Sequence, residues 1–178
     1  MIDTIDYRGW ANCIRLANDQ IELVVTTDVG PRVIHCGFVG GGNLFKTFEA
    51  TLGQTGGDEW RSYGGHRLWH APEIVPRTYA PDNRPVEHAW DGRTLTLRSE
   101  EPENRLAKEI AVTLSAAEPR LEVAHRLVNR NPWAIELAPW ALTVMAPGGR
   151  AVVPHEEYRP HPTLSSRPGR SSSGTSRT

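Results

Sequence analysis

The apolar and polar residues of this chain alternate with a period of two along much of its length. Residues 10–16, 21–26 and 32–38 are short runs rich in apolar and β-branched side chains. Successive side chains of a strand point to opposite faces, so such runs are typical of strands that bury one face. Residues 17–20, which read Ala-Asn-Asp-Gln, favour a turn, which predicts a hairpin of the first two strands. A third strand is expected after the turn at residues 28–31.

Strict alternation in the third strand predicts that Val33, His35 and Gly37 lie on one face, with Ile34 and Cys36 on the other. Arg32 and Phe38 belong to the second group by the same count. Residues on one face share an environment, so this alternation predicts different surroundings for Ile34 and His35.

The same reasoning predicts strands in the second half of the chain. Residues 86–90 and 94–98 form a hairpin around Asp91, Gly92 and Arg93, because an Asp-Gly pair is a strong turn signal. Residues 107–114 and 121–129 again alternate. Residues 133–145 are nearly all apolar, which predicts a strand buried on both faces.

Nothing in the pattern indicates a strong helix. Prolines 72, 76, 81 and 85 exclude a regular helix and predict an extended segment that crosses the surface near the glycine-rich residues 56–65. Residues 47–55 form a loop or at most one helical turn. The sequence therefore predicts an all-β fold.

The character of the chain changes after a further strand predicted at residues 150–153. Residues 163–178 consist mostly of Ser, Thr, Gly and Arg. Such a composition buries too little apolar surface to offset its ordering entropy, so we expect a disordered tail. Residues 1–162 are predicted to form one β-sandwich domain. The domain stops soon after a new strand begins, which indicates a truncated or frame-shifted product, the alternative being an ordinary flexible C-terminus.

Length and charge narrow the possible partners. The chain has 178 residues and a formal net charge of -1. This size suffices for one core, and this charge gives no electrostatic reason to bind nucleic acid or an anionic membrane. The N-terminus is acidic and no apolar run is long enough to span a bilayer, so a cytoplasmic location is expected. No cofactor is predicted.

Residues 56–73 hold the densest group of side chains with binding chemistry. If residues 66–70 are extended, His66, Leu68 and His70 share one face and Arg67 and Trp69 share the other. An indole covers the apolar CH groups of a sugar, while guanidinium and imidazole groups form directed hydrogen bonds with hydroxyls. The stretch therefore predicts a carbohydrate site.

Two other interpretations of this stretch stay open. Trp60 and Trp69 are also explained as core residues, with each histidine a satisfied buried polar group. Alternatively, His66 and His70 share a face and bind a metal together with Asp58, Glu59 or Glu73. No His-Glu-x-x-His or Cys-x-x-Cys pattern supports the metal site, so none is predicted.

Five motifs together resemble an uncharacterised bacterial family of the galactose mutarotase-like (aldose epimerase-like) superfamily. They occupy residues 9–13, 26–32, 56–61, 64–73 and 137–142. The resemblance covers roughly residues 7–162 and implies an antiparallel β supersandwich of galactose mutarotase type, present here only in its N-terminal part. It also implies that the concave face of this sandwich binds carbohydrate.

The chain also departs from the pattern of the sugar epimerases in that superfamily. Their catalytic histidine corresponds to a place in residues 137–142, where this chain has Pro139 and Trp140 but no histidine. Their catalytic glutamate lies later, on strands that this sequence does not contain. Mutarotation needs a general acid and a general base near the ring oxygen and the anomeric hydroxyl. The resemblance therefore supplies no catalytic residue.

Sugar binding without an identified acid-base pair is the function that the sequence favours. The expected substrate-binding residues are Arg32, Trp60, Arg61, His66, Arg67, Trp69 and His70. One alternative is a sugar isomerase in which His66 or His70 donates and Glu59 or Glu73 accepts the proton. Another is a structural remnant without activity.

Overall fold

Ten strands in two antiparallel sheets form the described part of the computed structural model, residues 1–154. The strands are β1 (Ile2–Tyr7), β2 (Trp10–Ala17), β3 (Ile21–Thr26), β4 (Arg32–Phe38), β5 (His66–Ala71), β6 (Glu87–Trp90), β7 (Thr94–Glu101), β8 (Leu106–Leu114), β9 (Leu121–Asn129) and β10 (Ala138–Thr143). Two short 3-10 turns, Glu49–Thr51 and Arg77–Tyr79, are the helical elements of these residues. The predicted all-β fold is confirmed.

The two sheets pack face to face around one apolar core. The larger sheet has the order β1-β2-β3-β4-β5-β10, and the smaller has the order β6-β7-β8-β9. The buried core residues, drawn from both sheets and from the entry to β6, are Ile14, Leu16, Leu23, Val25, Val33, Leu68, Val86, Leu95, Leu97, Ile110 and Val112. Side chains from two inner faces make such a core, so the architecture is a β-sandwich. We call the face of the larger sheet that meets the smaller sheet its inner face.

The opposite, outer face of the larger sheet carries a second apolar cluster. Its buried members are Trp10, Cys13, Val24, Val29, Ile34 and Tyr63. Tyr63 belongs to the loop before β5 and packs edge to face on Trp10, with ring centroids 5.6 Å apart. The Trp10 indole nitrogen donates to the Gln54 carbonyl at 3.0 Å. Loop residues therefore cover the outer face and hold the residues before β5 against it.

Most of the predicted strands and turns are confirmed. The bounds of β3, β4 and β9 are those predicted. The hairpin of β6 and β7 turns at Asp91, whose Oδ1 accepts from the Arg93 and Thr94 amides at 2.8 and 2.7 Å. β9 shows the expected alternation of exposure, whereas β3 and β4 are buried on both faces because loops cover the outer face.

The alternation predicted for residues 32–38 breaks after Ile34, so the residues that follow face opposite to the prediction. Val24 lies opposite His35 and Val25 lies opposite Val33, so Ile34 is the additional residue of a β-bulge. Val24 and Ile34 both belong to the outer cluster, and a residue directly opposite Val24 lies on the same face. His35 therefore shares the outer face with Ile34.

The strand predicted at residues 133–145 is shorter and more exposed than expected. Only Ala138–Thr143 forms a strand, and β10 lies at the edge of the larger sheet beside β5. Trp133 is 61% exposed. Within residues 1–154, β10 has one neighbouring strand and its residues are exposed or only partly buried, so the prediction of two buried faces is wrong.

Two other differences concern the ends of the described region. Residues 150–153 form no strand, with Val152 and Val153 exposed. β1 was not predicted, because its acidic residues hide an alternation that a shift of register between Ile5 and Tyr7 also interrupts. The tail predicted at residues 163–178, and the end of the predicted domain at residue 162, lie outside the described residues.

Gly64 and Gly65 are required by the close approach of two other backbone segments. Their φ angles are +89° and +71°, in the left-handed region that favours glycine. A Cβ on Gly64 would lie 2.1 Å from the Lys46 carbonyl oxygen, and a Cβ on Gly65 would lie 2.3 Å from that of Val33. The pair therefore brings the start of β5 against β4 and against residues 46–47.

We expect Gly65→Ala to destabilise the protein much more than Gly40→Ala. Gly40 has a φ of +72°, but no described atom lies within 4 Å of its Cβ position. Gly40→Ala meets only backbone strain, about 1 kcal/mol. Gly65→Ala adds a steric clash that costs about 2 kcal/mol or more. Urea denaturation of both variants measures the difference, and equal losses would contradict the close approach.

Candidate functional site

A buried arginine ties the loops of the outer face to the sheet. Arg32, at the start of β4, is 1% exposed. Its Nη1 donates to the Gly64 carbonyl at 2.6 Å, and its Nη2 pairs with Asp82 Oδ2 at 2.7 Å. The guanidinium also lies 5.2 Å from the centroid of the Tyr63 ring. Each of its contacts is internal, so Arg32 supports the site instead of facing a ligand.

Asn83, which is fully buried, joins two loops beside this arginine. Its Oδ1 accepts from the Tyr63 hydroxyl at 2.8 Å, and its Nδ2 donates to the carbonyls of Gly57 and Glu59 at 3.2 and 2.7 Å. The Gly56 amide donates to the Asn83 carbonyl at 2.7 Å. The proline-containing segment is thereby fixed against the glycine-rich loop, as the prediction of a segment near the site requires.

β5 separates the predicted site residues between its two faces. Leu68 belongs to the core between the sheets, which places His66 and His70 on the inner face. Arg67 and Trp69 lie on the outer face. The predicted alternation of this strand is confirmed, and it divides the candidate chemistry into two separate places.

Four aromatic rings gather on the outer face around Trp69. This aromatic cluster consists of Trp60, Trp69, Tyr79 and Trp140. The Trp69 ring lies 6.0 Å from Trp60, 5.2 Å from Tyr79 and 5.5 Å from Trp140 between centroids, with each pair near edge to face. Trp69 is buried, while the other three rings are partly exposed. Trp140 of β10 lies directly opposite Trp69 of β5, which fixes this pair.

Arg67 is surrounded by this aromatic cluster. Its guanidinium carbon lies 3.9 Å from the Trp69 centroid and 5.2 Å from the Trp60 centroid, both cation–π distances. The residue is 8% exposed, and its Nη1 is buried without a hydrogen-bond partner among residues 1–154. The Trp60 indole nitrogen is buried and unpartnered in the same sense. Two donors of the cluster therefore lack an acceptor.

The surroundings of Arg67 disfavour its charge. Burial, and then repulsion from Arg32, lower the pKa of Arg67 to about 10, against the smaller opposing effects of Asp82 and Tyr79. The side chain still carries its proton at neutral pH. A charged group in such a place costs free energy unless it is paired, and the aromatic faces supply part of the compensation.

On the inner face, His66 contacts a histidine of the smaller sheet. The Nε2 atoms of His66 and His125 of β9 are 2.7 Å apart, and His66 Nδ1 lies 2.7 Å from the Thr143 hydroxyl. Burial, and then repulsion from His125, lower the pKa of His66 to about 4. Burial also lowers the pKa of His125. Two neutral imidazoles joined by one N–H···N hydrogen bond between their Nε2 atoms fit this geometry.

His70 belongs to a buried polar group between the sheets. Its Nε2 lies 3.4 Å from Glu101 Oε1, and Lys108 Nζ lies 2.7 Å from Glu101 Oε2. Asn104 also donates to Glu101. Burial raises the pKa of Glu101, but bonds from His70, Lys108 and Asn104 bring it below its usual value overall. Glu101 and Lys108 border a cavity of about 270 Å³ that Asp82 also lines.

The structure thus brings together three of the seven predicted binding residues: Trp60, Arg67 and Trp69. Arg32 is a buried brace, and Arg61 donates to the Gly56 carbonyl at 2.6 Å and holds its loop. His66 and His70 are on the other face of β5. The partners predicted for these histidines, Glu59 and Glu73, are exposed, and Glu73 bonds the Tyr79 hydroxyl.

The alternative interpretation of His66 and His70 as metal ligands finds no geometric support. Within residues 1–154, no three His, Cys, Asp or Glu side chains come close enough to hold a metal ion. In the same part of the chain, no helix has both the length and the apolar character needed to cross a membrane.

Several residues of the site were not identified from the sequence. Tyr79 and Asp82 come from the proline-containing segment, and His125 and Glu101 come from the smaller sheet. The order of predicted strands does not say which residues of two sheets lie close together, so nothing in the sequence indicated these contacts. Trp140 belongs to a motif of the family resemblance but was not assigned to the site.

Comparisons with family models, curated proteins and solved structures give no match to this chain. The resemblance to the galactose mutarotase-like superfamily therefore stays a prediction.

We expect the stability of the protein to fall as the pH decreases from about 6.5 towards about 4. The pKa of His66 is about 4 in the fold and near the ordinary value of 6.5 in the unfolded chain. The unfolded chain therefore binds more protons in this interval, and acid favours unfolding. His66→Gln should reduce this dependence on pH.

Urea denaturation at several pH values measures this effect. His88→Gln, at an exposed histidine of β6, is the control and should keep the dependence of the parent protein. An unchanged pH dependence in His66→Gln would contradict the assignment of a neutral His66.

Proposed function

We propose that this protein binds a carbohydrate at the aromatic cluster on the outer face of β5. One observation carries the proposal: Arg67 is buried among aromatic rings and its Nη1 has no acceptor among the described residues. Buried donors are nearly always paired in folded proteins, so this one calls for a partner. A ligand with both apolar surface and acceptor oxygens packs against the rings and accepts a hydrogen bond from the guanidinium.

Carbohydrates combine these two properties. The CH groups of a sugar ring pack on an indole face, and its oxygens accept hydrogen bonds from guanidinium and indole N–H groups. Trp60 contributes both parts, because its ring borders Arg67 and its Nε1 has no partner in residues 1–154. Ligand sites of this kind join aromatic walls with a few directed polar groups.

The position of each ring indicates how a ligand reaches Arg67. Trp69 and Trp140 lie on paired strands, whose backbone hydrogen bonds fix them. Trp60 lies in the loop before β5, and Tyr79 lies in a 3-10 turn; both are partly exposed. Rotation of these two side chains opens a path to the buried Nη1. The proposal therefore includes a small rearrangement of Trp60 or Tyr79 on binding.

No observation favours turnover over binding. A mutarotase needs an acid and a base that reach the same sugar. His70 is buried between the sheets against Glu101, while Glu59 and Glu73 are exposed. We therefore propose binding, because the residues named for the isomerase alternative, His66 or His70 with Glu59 or Glu73, do not come together in residues 1–154.

We expect Trp60→Ala to weaken sugar binding without unfolding the protein. The change removes a partly exposed ring and a donor, each of which contributes on the order of 1 kcal/mol. Trp69→Ala is a less clean test, because loss of a ring that is 6% exposed costs about 3–5 kcal/mol of stability. Calorimetric titration of a panel of neutral, acidic and phosphorylated sugars measures the affinities.

Trp90→Ala is the matched control. Trp90 is 40% exposed on β6 of the smaller sheet, away from the aromatic cluster. Its loss should leave every affinity unchanged. Failure of the parent protein to bind any sugar of the panel would refute the proposed function and favour a structural remnant.

A further inference from the structure

Two arginines on the outer face form a single ion pair with the carboxylates of residues 1–154. Arg32 of β4 and Arg67 of β5 are directly opposite each other in the sheet. Asp82 pairs with Arg32 at 2.7 Å. Arg67 forms no ion pair with any residue of the described region. Among residues 1–154, one buried positive charge therefore has no ion pair of its own.

Arg67 and the neighbouring Trp60 each have a buried hydrogen-bond donor without a partner in the described part of the chain. Arg67 Nη1 and Trp60 Nε1 are both buried without acceptors among residues 1–154. The unpartnered acceptor Asp82 Oδ1 belongs to a residue that lines a different cavity, beside Glu101 and Lys108. Neither Arg67 nor Trp60 borders that cavity. Within residues 1–154, these two buried donors therefore have no acceptor.

Other charged groups near the aromatic cluster do not neutralise Arg67. Glu73 is exposed and its carboxylate accepts from the Tyr79 hydroxyl. Arg61 donates to the Gly56 carbonyl and adds positive charge to the loop that carries Trp60. Burial, and after it repulsion from Arg32, lower the pKa of Arg67, and Asp82 and Tyr79 oppose this only to a smaller extent. A ligand with a negative charge would offset this repulsion, whereas a neutral hydroxyl would not.

We propose that the ligand of this site is an acidic sugar, whose carboxylate or phosphate accepts hydrogen bonds from Arg67 Nη1 and Trp60 Nε1. This inference rests on the proposed function and names the class of carbohydrate. A planar guanidinium matches the oxygens of a carboxylate or a phosphate, and such charge-assisted hydrogen bonds are about twice as strong as neutral ones. The aromatic rings exclude water from the bound anion, and the sugar ring packs against them.

The test is a calorimetric titration of the parent protein with matched ligands at low salt. One set compares each neutral hexose with its uronic acid and its 6-phosphate. A second set contains acetate and inorganic phosphate without a sugar. We expect one acidic member of a matched set to bind on the order of tenfold to a hundredfold more tightly than its neutral hexose. The tighter of the two acids identifies carboxylate or phosphate as the anchor.

The outcomes separate this inference from the proposed function. Equal affinity for a hexose and its two acids overturns the inference and leaves sugar binding intact. Binding of acetate or phosphate as tight as that of the acidic sugars overturns the proposed function, because the sugar would then contribute nothing. No binding of any ligand overturns both.

Variants of Arg67 locate the effect. Arg67→Met removes the charge at similar length and should abolish the preference for the acidic member, while Arg67→Lys keeps the charge but loses the planar pair of donors. Arg120→Met, at an exposed arginine before β9, is the control. Thermal unfolding of each variant verifies that it is folded. An unchanged preference in folded Arg67→Met would overturn the assignment of the anion to Arg67.

Discussion

The buried contacts of Arg32 are the constraint on which the outer face of this sandwich depends. A charged group in the interior is tolerated only when it is paired and hydrogen-bonded, and loss of one partner leaves an expensive unpaired charge. Arg32 meets this requirement with Asp82 and with the Gly64 carbonyl. Those two partners belong to different loops, so one guanidinium fixes both loops over the sheet. The position of Trp60 and Tyr79 over β5 follows from this anchoring.

The side chains on the two faces of β5 differ in whether they find charged or hydrogen-bonding partners. On the inner face, His66 and His70 have partners from the smaller sheet, and these contacts join the two sheets. On the outer face, Arg67 has aromatic neighbours but no counter-ion in residues 1–154. Polar groups whose requirements are met inside the protein contribute to its structure. A group whose requirements are not met there is the better indicator of a ligand. Arg32 Nε and His70 Nδ1 also lack partners in these residues, but each of those side chains contacts a carboxylate through another nitrogen, whereas Arg67 contacts none.

Local patterns were sufficient to predict most strands but only part of the site. Alternation identified β3, β4 and β9 and the two faces of β5, because each depends on neighbours in sequence. The bulge at Ile34 and the exposed edge position of β10 depend on which strands lie alongside, and alternation carries no such information. Trp60, Arg67 and Trp69 come together because they are close in sequence. Tyr79 and Trp140 join them only through the pairing of strands and the path of the proline-containing segment.

The aromatic cluster gives this protein a built-in optical signature. Three of its six tryptophans, Trp60, Trp69 and Trp140, lie in one group, with neighbouring centroids 6.0 and 5.5 Å apart. Indoles at such separations couple their electronic transitions, and their fixed, tilted planes make this coupling chiral. The near-ultraviolet circular dichroism of the protein should therefore be dominated by one small region of the outer face. A change in the orientation of Trp60 alone would alter that spectrum while the β-sheet signal in the far ultraviolet stays constant.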